Sequence, residues 1–429
     1  MKTIRLTALF LGMTAVLGAA DAPPPTLTME QAKDEALRNH PAYAAAQLRA
    51  LLAKEALKVS QAAYYPLANG YVDAVDTAWD NTRILAGGIN NPSVYDRVGD
   101  GIAVTQMITD FGHTRNLAGG ARAELQAAAQ GAEASREQIL LNVEASYYAA
   151  LQARAVLEVA RQTLSTRQVL VEQVGALAKH QLKSGLDVSF SQVAFTQAEL
   201  LVQKAEGDSE GAMAALGSAL GRSGADDVSL VDERGPAVAP GPLSVLIEQA
   251  LARRPDLLNL QFKVEAAQRV AAAARDSNYP TLTAVGVAGN AFAADSHLPD
   301  KYAAAGVQLT IPIFEGGAMV ARQREAEISA RISAQALKEA QDNAVRDVRV
   351  ALASAVTAYK RLATTRQLLS HASEALDLAQ ARYKAGSSSI VEFSDAQLNQ
   401  TYAAIALANA EYDTRIQEAV LDFQTGAIR

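Results

Sequence analysis

The sequence predicts two like units, each made of a helix, a β-hairpin able to cross a membrane, and a helical hairpin of great length. Three observations carry this: two proline landmarks that recur at one spacing, a change of hydrophobic period after each, and two long stretches without proline. Asn39-His40-Pro41 is matched by Arg253-Arg254-Pro255, and Tyr65-Pro66 by Tyr279-Pro280, both 214 residues later. Two landmarks at a single spacing indicate an internal duplication. Across the 429 residues, apolar side chains reach 49% but aromatics only 5%. Alanine-lined helices can then pack closely, whereas a large globular core lacks its usual bulky residues.

The elements follow in order. Lys2 and Arg5 head an uncharged apolar run from Leu6 to Ala20, and small residues offer cleavage after Ala20 or Ala22. This is the order of a secretory signal over 1–22. No later run reaches the roughly 18 apolar residues that a spanning helix needs. The first unit, 23–220, opens on a helix capped by Thr28, continues as a β-hairpin over about 65–109, and ends as a helical hairpin over about 112–220. Residues 221–242, with Gly221, Gly224, Gly235, Pro236, Pro240, Gly241 and Pro242, read as a linker. The second unit, 243–424, repeats the plan with a β-hairpin over about 279–314 and a helical hairpin over about 317–424, leaving a tail at 425–429.

Gly112 to Lys183 and Gly317 to Ala385 contain no proline and are rich in Ala, Gln, Glu, Arg and Leu. Each would be on the order of 100 Å long as one helix. Within them Asn142-Val143 corresponds to Asp347-Val348 and Arg161-Gln162 to Arg366-Gln367, at a spacing of 205. Gly185 and Gly386, 201 apart, are expected to lead the two reversals, which would make the first long helix slightly longer.

In the last strand Val307, Leu309, Ile311 and Ile313 share one face, and Gly306, Gln308 and Thr310 the other. That alternation suits a strand between lipid and a wet interior. A small soluble sheet half buried on the helices has the same pattern. Four strands cannot close a barrel, and open edges in lipid are prohibitively costly. Spanning strands therefore require several chains around one barrel, and three copies would give twelve strands. Tyr64, Tyr65, Tyr71, Trp79, Tyr279, Phe292 and Tyr302 suit the membrane interfaces or packing among the strands. Asn90-Asn91-Pro92 and Asp295-Ser296-His297 fall in the outward loops.

A net charge of -7 without an arginine-rich patch argues against nucleic acid as a partner. With no cysteine there is no disulfide, no thiolate metal site and no lipid-bearing cysteine. The histidines show no ligand spacing, and neither a phosphate loop nor a nucleophile elbow is present. Neither an enzyme, a metal nor a cofactor is expected.

These features together resemble the TolC-type outer membrane efflux protein family. LTMEQAKDEALRNHP is similar to its opening words, TIPIFEGG at 310–317 to its strand exit, and RYKAGSSSIVEFSDAQ at 382–397 to its second helical turn. The resemblance covers about residues 27–424. It implies a homotrimeric outer-membrane efflux channel: a twelve-stranded transmembrane β-barrel, four strands per protomer, continued by a long α-helical periplasmic barrel of coiled-coil hairpins. Such a channel is a passive exit duct for small toxic compounds, fed by an inner-membrane pump such as an RND or ABC transporter through a periplasmic adaptor. Some relatives instead serve type I protein secretion or metal-cation efflux. A periplasmic adaptor protein is the reading from another class, but its single helical hairpin fits poorly with two.

The resemblance also assigns roles. Glu392 and Asp395 match acidic positions at the closed periplasmic end. They stand i,i+3 on the return helix, so three copies would stack six carboxylates around a narrow axis and favour cations. Acids near a helix N-terminus are also favoured simply by its dipole. Tyr383 matches a latch tyrosine, while Ser388 replaces the arginine that joins the latch in some relatives, leaving Arg382 or Lys384 as substitutes. Lys183, Gly185, Lys384 and Gly386 would contact the adaptor at the two turns. Pro312, Phe314, Glu315, Gly316 and Gly317 form the strand-exit motif, with Asp110 and Gly112 as first-unit partners.

Overall fold

The computed structural model describes residues 26–76, 97–222, 228–233, 239–294 and 299–428. The signal segment, Trp79, Asn90-Asn91-Pro92 and Asp295-Ser296-His297 lie outside the described residues.

Each unit begins with two helices where one was expected. In the first, α1 (Met29–Asn39) is followed by α2 (Pro41–Ala62) after a short strand β1 (Thr26–Leu27). Thr28 caps α1: it accepts the Gln31 N–H, and the Gln31 side chain takes the Thr28 N–H in return. His40 then turns extended ahead of Pro41, which becomes the first residue of α2. Proline lacks the N–H a continuous helix needs and forces the preceding residue out of the α region, so the break lies in the sequence itself.

Then come β2 (Leu67–Val75), β3 (Arg97–Thr109), α3 (His113–Lys179), α4 (Gly185–Ala219) and a short β4 (Ser229–Leu230). The second unit comprises α5 (Leu243–Arg253), α6 (Pro255–Asp276), β5 (Thr281–Ala294), β6 (Lys301–Thr310), α7 (Ala318–Lys384) and α8 (Ile390–Thr425). No helix among the described residues is long and apolar enough to cross a membrane.

The four long strands form one antiparallel sheet in the order β2-β3-β5-β6, leaving β2 and β6 as edges. Residues paired across strands share a face. Val72, Ile102, Val104, Val307 and Leu309 lie exposed on one side. The other side carries mostly Gly, Ala, Thr and Gln, with Tyr71 and Tyr302.

α3 and α7 each have 67 residues, about 100 Å of continuous helix. Both turns keep the 205 spacing, which corrects the expected match of Gly185 with Gly386. At the end of α3 the Leu182 N–H bonds the Leu177 carbonyl around Gln181, whose φ is 59°. At the end of α7 the Ser387 N–H bonds the Arg382 carbonyl around Gly386, φ 71°. The partner of Gly386 is thus Gln181, in a left-handed conformation that costs a side-chain residue roughly 1–2 kcal/mol. Gly185 is merely the first residue of α4 behind its cap Ser184, as Ile390 follows Ser389. The long helices are equal in length; aligning glycine with glycine misplaced the turn by four residues. In the same way Phe111 (φ 54°) stands where the second unit has Gly316 (φ 62°).

The linker and tail are also more structured than a spacer. β4 pairs in parallel with β1, and Tyr147 from α3 clamps both: its hydroxyl lies 2.8 Å from the Leu27 carbonyl and 2.7 Å from that of Val231. Gly221 and Gly426 end the two return helices with positive φ. A Cβ at Gly221 would lie 3.1 Å from the backbone at Asn39 and His40; one at Gly426 would lie 3.1 Å from that of Arg253 and Arg254. Each return helix therefore closes against the proline break of its own unit, and the close approach with positive φ favours glycine.

Glu137 on α3 is 7% exposed, and burial, reinforced by Glu133, pushes its carboxyl up to about 7. The other charges acting on it are already paired, Arg136 with Glu133 and Arg254 with Asp256. From about 4.5 to about 7 the folded chain holds a proton that the unfolded chain has released. Stability therefore falls as pH rises through that window and levels above it. Glu137→Gln is expected to remove this slope and stabilise the fold at pH 8 by on the order of 1 kcal/mol. Thermal unfolding followed by circular dichroism at pH 5 and pH 8 checks this; an unchanged slope would reject the assignment.

Candidate functional site

The helical tip gathers most of the residues singled out in the sequence. Ser389 caps α8, accepting the Glu392 N–H at 3.2 Å. This holds Glu392 back over the turn, where both its oxygens are engaged: Arg382 Nη1 donates at 2.7 Å and Ser388 Oγ at 2.6 Å. Ser388 and Arg382 therefore tie the turn within one hairpin. Asp395, one turn on, is exposed and has neither a hydrogen bond nor an ion pair among the described residues. Glu392 and Asp395 start the same helix but differ in state: one charge is balanced, the other open. Lys384 and Gly386 are exposed at the turn, as is Gly185 at the other.

Tyr383 points the opposite way, into a small core with Leu170, Val174, Ala379, Ile390 and Phe393. Its ring stacks on Phe393 with centroids 5.3 Å apart. Lys183 Nζ lies 3.8 Å above the ring centroid, a cation–π contact between the two turns. The cation at Tyr383 is thus Lys183, and neither Arg382 nor Lys384. Farther along, α3 and α8 are joined by Arg167 to Gln397, Thr163 to Thr401 at 3.4 Å, and Gln152 to Asn409 at 3.0 Å. Sequence reasoning missed this ladder; Arg167 is buried, and nothing near it in the chain announces Gln397.

The strand-exit residues lie at the far ends of α3 and α7. Asp110 accepts the Gly112 N–H at 3.2 Å and the Thr114 N–H at 2.7 Å, pinning the first turn of α3. Partial burial raises its carboxyl, but the Thr114 and Gly112 donors outweigh this and hold it below the usual range. Glu315, its counterpart, is one methylene longer and reaches instead to Arg322 at 2.8 Å. Gly112 and Gly317 both adopt positive φ at the helix start. A Cβ at Gly112 would meet Asp276 Oδ2 at 2.9 Å. That buried carboxylate accepts from Asn116 at 2.7 Å and joins the two units where helix gives way to strand. Pro312 lies two residues past the last ladder pair, and Phe314 is 83% exposed.

In the sheet, Tyr71, Gly101, Gly289 and Tyr302 occupy one register line. The two tyrosines fold over the glycines from either edge, and their hydroxyls meet at 2.6 Å. Tyr71 and Tyr302 therefore pack within the sheet, on its small-residue face, because the glycines leave room for them. Asp73 and Arg97 pair beside them at 2.7 Å.

A sequence profile described as outer membrane efflux protein matches residues 32–222 and 246–427. The outer membrane protein OprJ of Pseudomonas aeruginosa is 28% identical over 338 residues, covering 75% of this chain and 68% of its own. The cation efflux system protein CusC of Escherichia coli is 24% identical over 402 residues, covering 90% and 84%. The Campylobacter jejuni CmeC outer membrane channel superposes with a TM-score of 0.80 at 15% identity, over 99% of this chain and 94% of that one.

Proposed function

The chain belongs to the outer membrane efflux protein family, and from that premise we propose that three copies form one passive duct through the outer membrane. Small toxic compounds, driven by an inner-membrane pump and passed on by a periplasmic adaptor, are its cargo. Metal-cation export and type I protein secretion would use the same architecture with another pump.

The joint between the two units is the observation that carries this reading. There β3 meets β5, with Val104 opposite Gly286 and Thr105 opposite Val285. β2 and β6 lack the equivalent partner. Shifted by the repeat spacings, the same joint would set Leu309 of one copy opposite Val72 of the next, and Thr310 opposite Tyr71. The helices support the same closure. α3 packs along α6 at the joint, so α7 would pack along α2 of the neighbour. The faces awaiting contact are apolar, with Leu48, Leu52 and Val59 exposed on α2 and Ile328 and Ile332 on α7. Adaptor docking falls to the exposed turns at 180–184 and 385–389, and the gate to the tip carboxylates.

Because the chain has no cysteine, Val72→Cys combined with Leu309→Cys gives a clean test. Within one chain these positions sit on opposite edges of the sheet, roughly 14 Å apart across three strand spacings and about 26 Å apart along the strands. Oxidation in membranes is expected to give a ladder ending at three chains on a denaturing gel. Val72→Cys with Val307→Cys, two residues out of register, should give little. Equal crosslinking of both pairs, or none of either, would reject this closure.

A further inference from the structure

Near the tip, a groove of about 730 Å³ opens between the two helical hairpins, bounded by α3, the 180–184 turn, α7 and the start of α8. Val169, Leu170, Leu177 and Phe393 give it apolar patches beside the polar Thr166, Gln173 and Gln380. Its charged lining has one sign: Lys183 and Lys384 border it, and no carboxylate does among the described residues. Tyr383, also in the wall, is 8% exposed, and its hydroxyl is closed to solvent without a hydrogen-bond partner.

We propose that the groove binds a compact organic anion: an aromatic or branched aliphatic body carrying one carboxylate or sulfonate. Its size is that of a small-molecule site, with apolar patches interrupted by polar groups. The body would lie against the apolar side chains, and its anionic oxygen would pair with Lys183 and Lys384. To do so the Lys183 ammonium leaves the Tyr383 ring, whose centroid lies 3.8 Å from it. Occupancy thereby loosens the cation–π contact between the two turns. The inference stands on the groove itself and does not depend on the export reading.

Calorimetric titration of 1-naphthoate into the full chain in lipid nanodiscs is the test. Saturable heat above that of empty nanodiscs is expected. Lys183→Gln should weaken binding about tenfold, as loss of a charge-assisted hydrogen bond does, and Lys183→Arg should largely retain it. Val169→Trp, which adds bulk to an apolar patch, should remove binding in a chain whose thermal midpoint shows it folded. 1-Naphthylmethylammonium, the same body with opposite charge, should not saturate. The proposal is overturned if naphthoate fails to bind, if both groove variants bind like the parent, or if the cation binds equally well.

Discussion

Replacing Asp395 with asparagine is expected to lower the cation-over-anion preference of the pore by roughly tenfold while leaving its conductance near the parent value. The two tip acids are not equivalent. Glu392 is balanced by Arg382 and held by Ser388, whereas Asp395 carries an open charge on the first turn of α8. Three such charges around one axis each contribute on the order of 1 kcal/mol even when largely solvated, so the set decides the preference. Glu392→Gln should behave differently. It removes the charge that balances Arg382 and leaves one acceptor for two donors, which loosens the turn and should raise conductance as well as shift selectivity. Single-channel recordings in a planar bilayer under a salt gradient separate the two effects. Unchanged selectivity in the Asp395 variant would remove that residue from the gate. A conductance increase there as large as in the Glu392 variant would show that the turn, not the charge, was disturbed.

Gly289→Ala is expected to abolish assembly of the barrel. A single methyl there would sit 2.2 Å from the Asp100 main-chain oxygen and 2.3 Å from the Tyr302 hydroxyl. Tyr302 can swing away, but a carbonyl in the neighbouring strand can move only if β3 and β5 part. Overpacking against yielding side chains already costs about 1–3 kcal/mol, and a backbone oxygen yields less. The joint at risk is the one that binds the two units. Gly286→Ala and Gly306→Ala, where the added methyl meets nothing within 4 Å, are matched controls in the same sheet. Heat-resistant oligomer on a gel should disappear in the first and persist in the controls. Loss in all three would mean that the sheet rejects any added bulk, and the close contact at Gly289 would explain nothing special.

What could be read in the chain was what repeats or alternates locally. The proline landmarks, the change of period after them and the proline-free stretches give the duplicated plan, because each is set within a few residues. Contacts between distant segments left no such trace. Tyr71 and Tyr302 are 231 residues apart, and only the strand register shows that they meet over glycines. Lys183 and Tyr383 are separated by a whole repeat, so the cation that found the ring was not one of its neighbours in sequence. Glycine is the usual left-handed residue, and Gly185 drew the alignment away from Gln181, which takes that conformation instead. The 205 spacing of Arg161 and Arg366, carried forward to Ser184 and Ser389, would have found the true pair.

The equality of α3 and α7 has a bearing on how such a protein can change over generations. The reach of the molecule is encoded twice in one gene, once per unit. Deleting seven residues from one long helix and the matching seven from its return partner would leave that hairpin about 10 Å short. Its turn would then hang out of line with its neighbour, and the contacts that span the two tips, Lys183 with Tyr383 and Arg167 with Gln397, would face empty space. A longer or shorter descendant therefore requires coordinated edits in both halves of the gene. Point substitutions can drift independently in each unit, as Gln181 opposite Gly386 shows, while length stays locked.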